Sequence, residues 1–123
     1  MDRRKILEKL RAVQITLSTT KQDIFDTKGV AIPAGKMRFV VALVLIGDGD
    51  TSTTVDVQKK EKDGSYKDIF KGVPVGPAQI VMLPGPDWRY DAENPFMSLE
   101  YGTDLAAVAS AGAPELTVIY WDD

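Results

Sequence analysis

The sequence predicts an all-β chain, an antiparallel jelly-roll-like β-sandwich of about eight strands with a short N-terminal helical arm. Three observations carry this reading. Turns rich in glycine and proline recur between short apolar segments throughout the 123 residues. Most of those segments alternate apolar and polar side chains with a period of two. The one continuous apolar run, Phe39 to Ile46, has eight residues and lies between Pro33-Ala34-Gly35 and Gly47-Asp48-Gly49-Asp50. That run is too short for a buried helix and rich in valine, so it reads as a strand covered on both faces. Its inner cover is the core, and its outer cover is either the N-terminal helix or another subunit.

The elements follow in order. Ile6, Leu7, Leu10 and Val13 recur at helical spacing, giving a short helix with one apolar stripe. Asp2 suits its start, and Lys9 and Arg11 suit the negative end of its dipole. Residues 1–12 thus form a basic amphipathic arm, and residues 13–123 form the sandwich domain. "VQITLSTT" alternates as a half-buried strand, and "QDIFDT" reads as a short extended piece. After the turn at Pro33 and Gly35, the central strand runs from Lys36 to Ile46. "TTVDVQKK" and "YKDIFKGV" form a hairpin about Asp63-Gly64. "AQIVML", "FMSLEY", "DLAAVAS" and "ELTVIYW" complete the set. Between the first two of these lies the loop "PGPDWRYDAENP", with three prolines and two large aromatics.

Composition excludes more chemistry than it suggests. With no histidine and no cysteine, Ser-His-Asp and Cys-His nucleophiles are absent, as are the commonest zinc ligands. No cofactor is implied. Asp48, Asp50 and Asp56 lie near one turn, but a calcium loop counted from Asp48 needs glycine and glutamate where Thr53 and Lys59 stand. They read as a solvated turn. "GVPVGP" lacks the lysine and helix of a phosphate loop. No stretch approaches the ~20 apolar residues of a membrane span, and the basic start is not followed by a signal-like apolar region. The chain therefore reads as a soluble protein made in a cytoplasm, with no membrane partner.

Charge is unevenly spread. Residues 1–12 carry five basic and two acidic side chains, a local +3, whereas the rest carries ten basic and sixteen acidic, a local −6. This places a basic arm on an acidic body. No aromatics interleave with the basic residues, so the chain does not read as a nucleic-acid binder.

The stretch Val30 to Lys36 ("V-x-I-P-A-G-K"), the hairpin, the "V-P-V" segment and the small-residue strand after "Y-G-T-D-L" are together similar to a family. They resemble small β-sandwich virion proteins of tailed bacteriophages and prophages, of the head-decoration or tail-associated type. The matching positions are Ile32 to Lys36 and Gly102 to Ser110, within a resemblance spanning residues 23–121. It implies a non-enzymatic virion protein, made in a host cytoplasm, that self-associates as a trimer or other ring and binds a capsid or tail protein. On that reading Arg3, Arg4, Ile6, Leu7, Leu10 and Arg11 dock on a neighbouring surface. Phe39, Val41 and Leu43, or else Val40, Ala42 and Val44, mediate self-association, since alternation turns one set outward. The alternative is a carbohydrate-binding module whose ligand loop uses Asp87, Trp88, Tyr90 and Asp91. A glycosidase would add Glu93 to Asp87 and Asp91, but nothing in their spacing holds two carboxyl groups across a bond.

Overall fold

The computed structural model describes residues 2–123, and the strands of two antiparallel sheets account for nearly half of them. A helix α1 (Arg3–Lys9) leads into β1 (Arg11–Thr16), and a two-residue β2 (Gln22–Asp23) is followed by a short helix α2 (Ile24–Lys28). Then come β3 (Met37–Ile46), β4 (Thr53–Lys60), β5 (Tyr66–Val75), β6 (Ile80–Leu83), β7 (Met97–Glu100), β8 (Asp104–Ala109) and β9 (Glu115–Asp122). Sheet A has the order β1-β9-β3-β6, with β7 also on β3; sheet B has the order β2-β8-β4-β5.

The pairings nest. β1 pairs with β9, β2 with β8, β3 with β6 and β7, and β4 with β5. A single long hairpin folded over on itself gives this pattern, which is that of a jelly roll. The segments β6 and β7 act as one strand interrupted by the Pro-rich loop. They share the same edge of β3, at Leu43–Ile46 and Met37–Val40 respectively. This split accounts for nine strands where about eight were expected.

The core lies between the sheets, where Phe25, Leu17, Ile24, Leu43, Leu45, Leu99, Leu105 and Leu116 are fully buried. Two local departures from the expected pattern have physical causes. The helix at the start is shorter than its periodicity predicts, because Leu10 is already extended (φ −61°, ψ 132°) and Arg11 pairs with Tyr120 in the sheet. "QDIFDT" is not an extended piece beyond its second residue. Ile24 and Phe25 are adjacent and both fully buried, which an alternating strand on one core cannot provide. The helical turn is held from outside the segment: the Asp104 carboxylate accepts from the N–H of Phe25 (2.9 Å) and of Asp26 (3.1 Å). Gly29, in the left-handed region at φ 70°, ends it.

One charged group closes an end of the core. Arg38 is buried, and its guanidinium donates to both Asp122 oxygens (2.7 and 2.9 Å) and to the Val30 carbonyl. Its plane sits between the rings of Phe25 (4.5 Å) and Tyr120 (4.1 Å). Every strong demand of a buried guanidinium is met by a carboxylate, a carbonyl or an aromatic face.

At the opposite end the turns interlock. The Gly47 N–H donates to Gln79 O (2.9 Å). A Cβ on Gly47 would lie 2.1 Å from Gly76 O and 2.9 Å from Ala78 N, both backbone atoms that cannot swing aside. Gly47→Ala is therefore expected to lower stability by about 3 kcal/mol, the upper end of overpacking costs, read as a lower urea midpoint with unchanged slope.

Candidate functional site

The outer face of sheet A is the surface on which the arm, the Pro-rich loop and the central strand meet. How β3 presents itself there depends on a bulge. Its register with β9 shifts between Val40 and Ala42, so that Val40 faces Tyr120 and Ala42 faces Ile119. One extra residue, Val41, is accommodated at that point. Simple alternation fails across it. Val40, Leu43 and Leu45 belong to the inner core, while Val41 joins the outer cluster with Trp121. The set Phe39, Val41 and Leu43 is thus divided: Phe39 and Val41 point outward, but Leu43 is fully buried between the sheets and is not available to another subunit. In the other set Val40 is likewise core, and only Val44 is half-exposed on the outer side.

The arm covers one half of this face. Ile6, 5% exposed, packs with Val41, Ala92 and Trp121, flanked by Leu10, Phe39 and Ile119. Phe39 and Trp121 lie with ring centroids 4.5 Å apart, and the Trp121 indole N–H donates to Ala92 O (2.8 Å). Over Phe39 and Val41 the outer cover of β3 is the chain's own arm. Ile6 is consequently not a docking residue, because it is inside the molecule. Arg11 donates to the carbonyls of Glu8 and Leu10 at the end of α1. Of the expected docking set, Arg3, Arg4, Leu7 and Arg11 are exposed, and Arg4 and Leu7, the latter at 46%, lie beside Lys5.

Charge fastens the arm as well. The Arg3 guanidinium donates to both oxygens of Asp91 (2.6 and 2.8 Å), with Glu93 at 3.8 Å, and Lys9 reaches Asp123 at 3.4 Å. The acidic side chains that meet the basic arm include two from the Pro-rich loop of the same chain. Asp91 also accepts from the Glu93 N–H (3.0 Å). That backbone donor and the Arg3 guanidinium hold its carboxyl below the usual carboxylate range.

The loop's remaining residues divide in the same way. The Tyr90 hydroxyl accepts from the Gly85 N–H (3.0 Å) and donates to Gly85 O (2.9 Å), so it staples the loop. Asp87 and Trp88 line a shallow hollow with Pro84, Gly85 and Pro86. The Trp88 indole N–H is buried without a hydrogen-bond partner. At the far turns, Asp48 accepts from the N–H of Asp50, Thr51 and Ala113, and Asp56 from that of Gly72. These carboxylates tie turns together. Among the described residues no cluster of three or more acidic side chains has metal-holding geometry, and no helix is long and apolar enough to cross a membrane.

The other half of the outer face has no such cover. The β3–β6 register sets Val44 beside Met82 and Ile46 beside Ile80. Ile80 is 66% exposed and Met82 42%, while Val44 and Ile46 are half-buried. The sequence reading passed over Ile80 and Met82. "AQIVML" gives no sign of which strand lies at an edge, and edge position is what exposes them.

The depressed pKa of Asp91 couples arm docking to pH. An unfolded aspartate near 3.8 takes up its proton before the folded one does, so the stabilisation is complete above that value and is lost as pH falls through the lower, folded one. In an acid titration followed by Trp121 fluorescence, the arm is expected to loosen below about pH 3.8. Asp91→Asn should remove part of that acid dependence and leave the arm looser at neutral pH. No family model matches the chain, and no curated protein matches it.

Proposed function

We propose that the chain is a non-enzymatic structural or assembly protein, which self-associates and seats on a larger virion surface of capsid or tail type. One observation carries the reading: the outer face of sheet A is half covered by the chain's own arm and half open as an apolar strip of Val44, Ile46, Ile80 and Met82. Exposed strips of large apolar residues are characteristic of surfaces that meet another protein. The jelly-roll pairing order and the resemblance at Ile32–Lys36 and Gly102–Ser110 support the same class. The exposed side of α1 offers Arg4, Lys5 and Leu7 as a small cationic and apolar docking face, in which charge guides encounter and the leucine supplies buried area.

Removing the whole arm is a poor test, because Ile6 is part of the outer cluster. The combined change Arg4→Glu, Lys5→Glu and Leu7→Ser leaves that cluster intact. It is expected to reduce co-sedimentation with purified phage heads or tails at least about tenfold, the effect of losing ~1.4 kcal/mol, with thermal stability little changed. Undiminished co-sedimentation would remove the arm from the docking surface.

A second reading rests on Trp88, which lines an open hollow with Asp87 and whose buried indole N–H has no partner. A sugar ring stacked there would give a carbohydrate-binding module. Its measurement is retardation in gels containing a panel of polysaccharides. Retardation abolished by Trp88→Ala supports this reading, and free migration in every gel rejects it.

A further inference from the structure

The strand β6 pairs with β3 on one side only, and among the described residues no other backbone hydrogen bond reaches Ile80 to Leu83. A free edge is a template for another strand, and proteins ordinarily blunt it with charge, proline, a bulge or shortness. The other outer strands are blunted in those ways, and β7, which continues the edge of β6, has four residues and ends in Glu100. β5 carries Lys67, Asp68, Lys71 and Pro74 and a register shift, and β2 has only two residues. β1 opens with Arg11 and exposes Gln14 and Thr16. β6, Ile-Val-Met-Leu, is short as well, at four residues, but it carries no charge, no proline and no bulge.

We propose that β6 is the contact between two copies of this chain, paired antiparallel edge to edge about a two-fold axis midway between Val81 and its counterpart. The inference rests on the self-association proposed above and narrows it to a two-fold dimer, in place of the three-fold ring that the family resemblance implies. A second copy suits the edge because each chain carries a net charge of −3. Copies therefore approach most easily where neither presents charge, and a strand without charge attracts no oppositely charged partner. The register follows from symmetry. An axis perpendicular to the sheet keeps outer faces together, which requires facing residues of the same parity. Centring on Val81 sets Ile80 opposite the second copy's Met82, and each Val81 opposite its counterpart. The pair would bury the two most exposed apolar side chains of this strip in both copies. Four edge residues are few against the 20–30 per side of a standard interface, so the dimer dissociates on dilution.

The chain has no cysteine, so introduced thiols report on the contact directly. Ile80→Cys and Met82→Cys are made as separate full-length proteins and oxidised alone and as a mixture, beside light scattering of the unmodified chain over a concentration series. Directly opposed positions bring Cβ atoms about 4.5–5.5 Å apart, near disulfide range, while positions two residues out of register do not. The expected result is a concentration-dependent dimer, with several-fold more cross-linked product in the mixture than with either variant alone. Ile80→Lys should shift the dimer to monomer with little change in urea midpoint. A dimer, trimer or larger ring without preferential cross-linking in the mixture overturns the β6 contact and leaves self-association standing. A monomer at every concentration overturns both.

Discussion

The register between β3 and β9 slips by one residue at Val41, and the placement of every layer follows from that slip. Without it, the alternation that buries Val40 would also turn Ala42 and Val44 inward and push Leu43 and Leu45 out. With it, the two leucines fill the space between the sheets, and Val41 is left on the outer side. There it meets Ile6 of the arm and Trp121 of β9. A strand of eight consecutive apolar residues can serve two layers only if its phase is set, and the bulge sets it.

Two buried ionic groups work on the segment that leaves sheet B after β2. Asp104 receives the N–H groups at the start of α2, and Arg38 bonds the Val30 carbonyl just past its end while lying on the Phe25 ring. Burial pushes the Asp104 carboxyl above the usual range, against the pull of its backbone donors. Between them the two side chains fix α2 at both ends, which lets Ile24 and Phe25 enter the core from a non-strand segment. Removing either partner would leave a buried polar group without its complement, a larger penalty than the bond itself is worth.

Much of this fold was legible in the sequence because strands write their period locally. Thr53 to Lys60 matches "TTVDVQKK" residue for residue, while the two-sided cover expected of the central strand holds at Phe39 and Val41 and stops short of Val44 and Ile46. Features set by distant residues were not legible. A run without polar side chains carries no phase, so neither candidate set on β3 could be assigned a face. The cap of α2 comes from Asp104, which lies 79 residues beyond Phe25. Arg3 and Asp91, placed in two different candidate sites, are 88 residues apart and bonded to each other. The basic arm and the aromatic loop were each read as reaching outward, yet much of what they reach is one another.

The nesting that closes the sandwich also sets its order of assembly. β9 lies in the middle of sheet A, between β1 and β3, although it is synthesised after every other strand. While β4 to β8 are being made, β1 and β3 have no common neighbour, and the apolar run of β3 is without the strand that fixes its register. β2 and β4 wait in the same way for β8. Neither sheet can be completed as the chain emerges, and contacts between sequence-distant strands close last and slowly. Until β9 arrives, the most apolar strand of the chain lacks the neighbour that fills one of its edges and fixes its register.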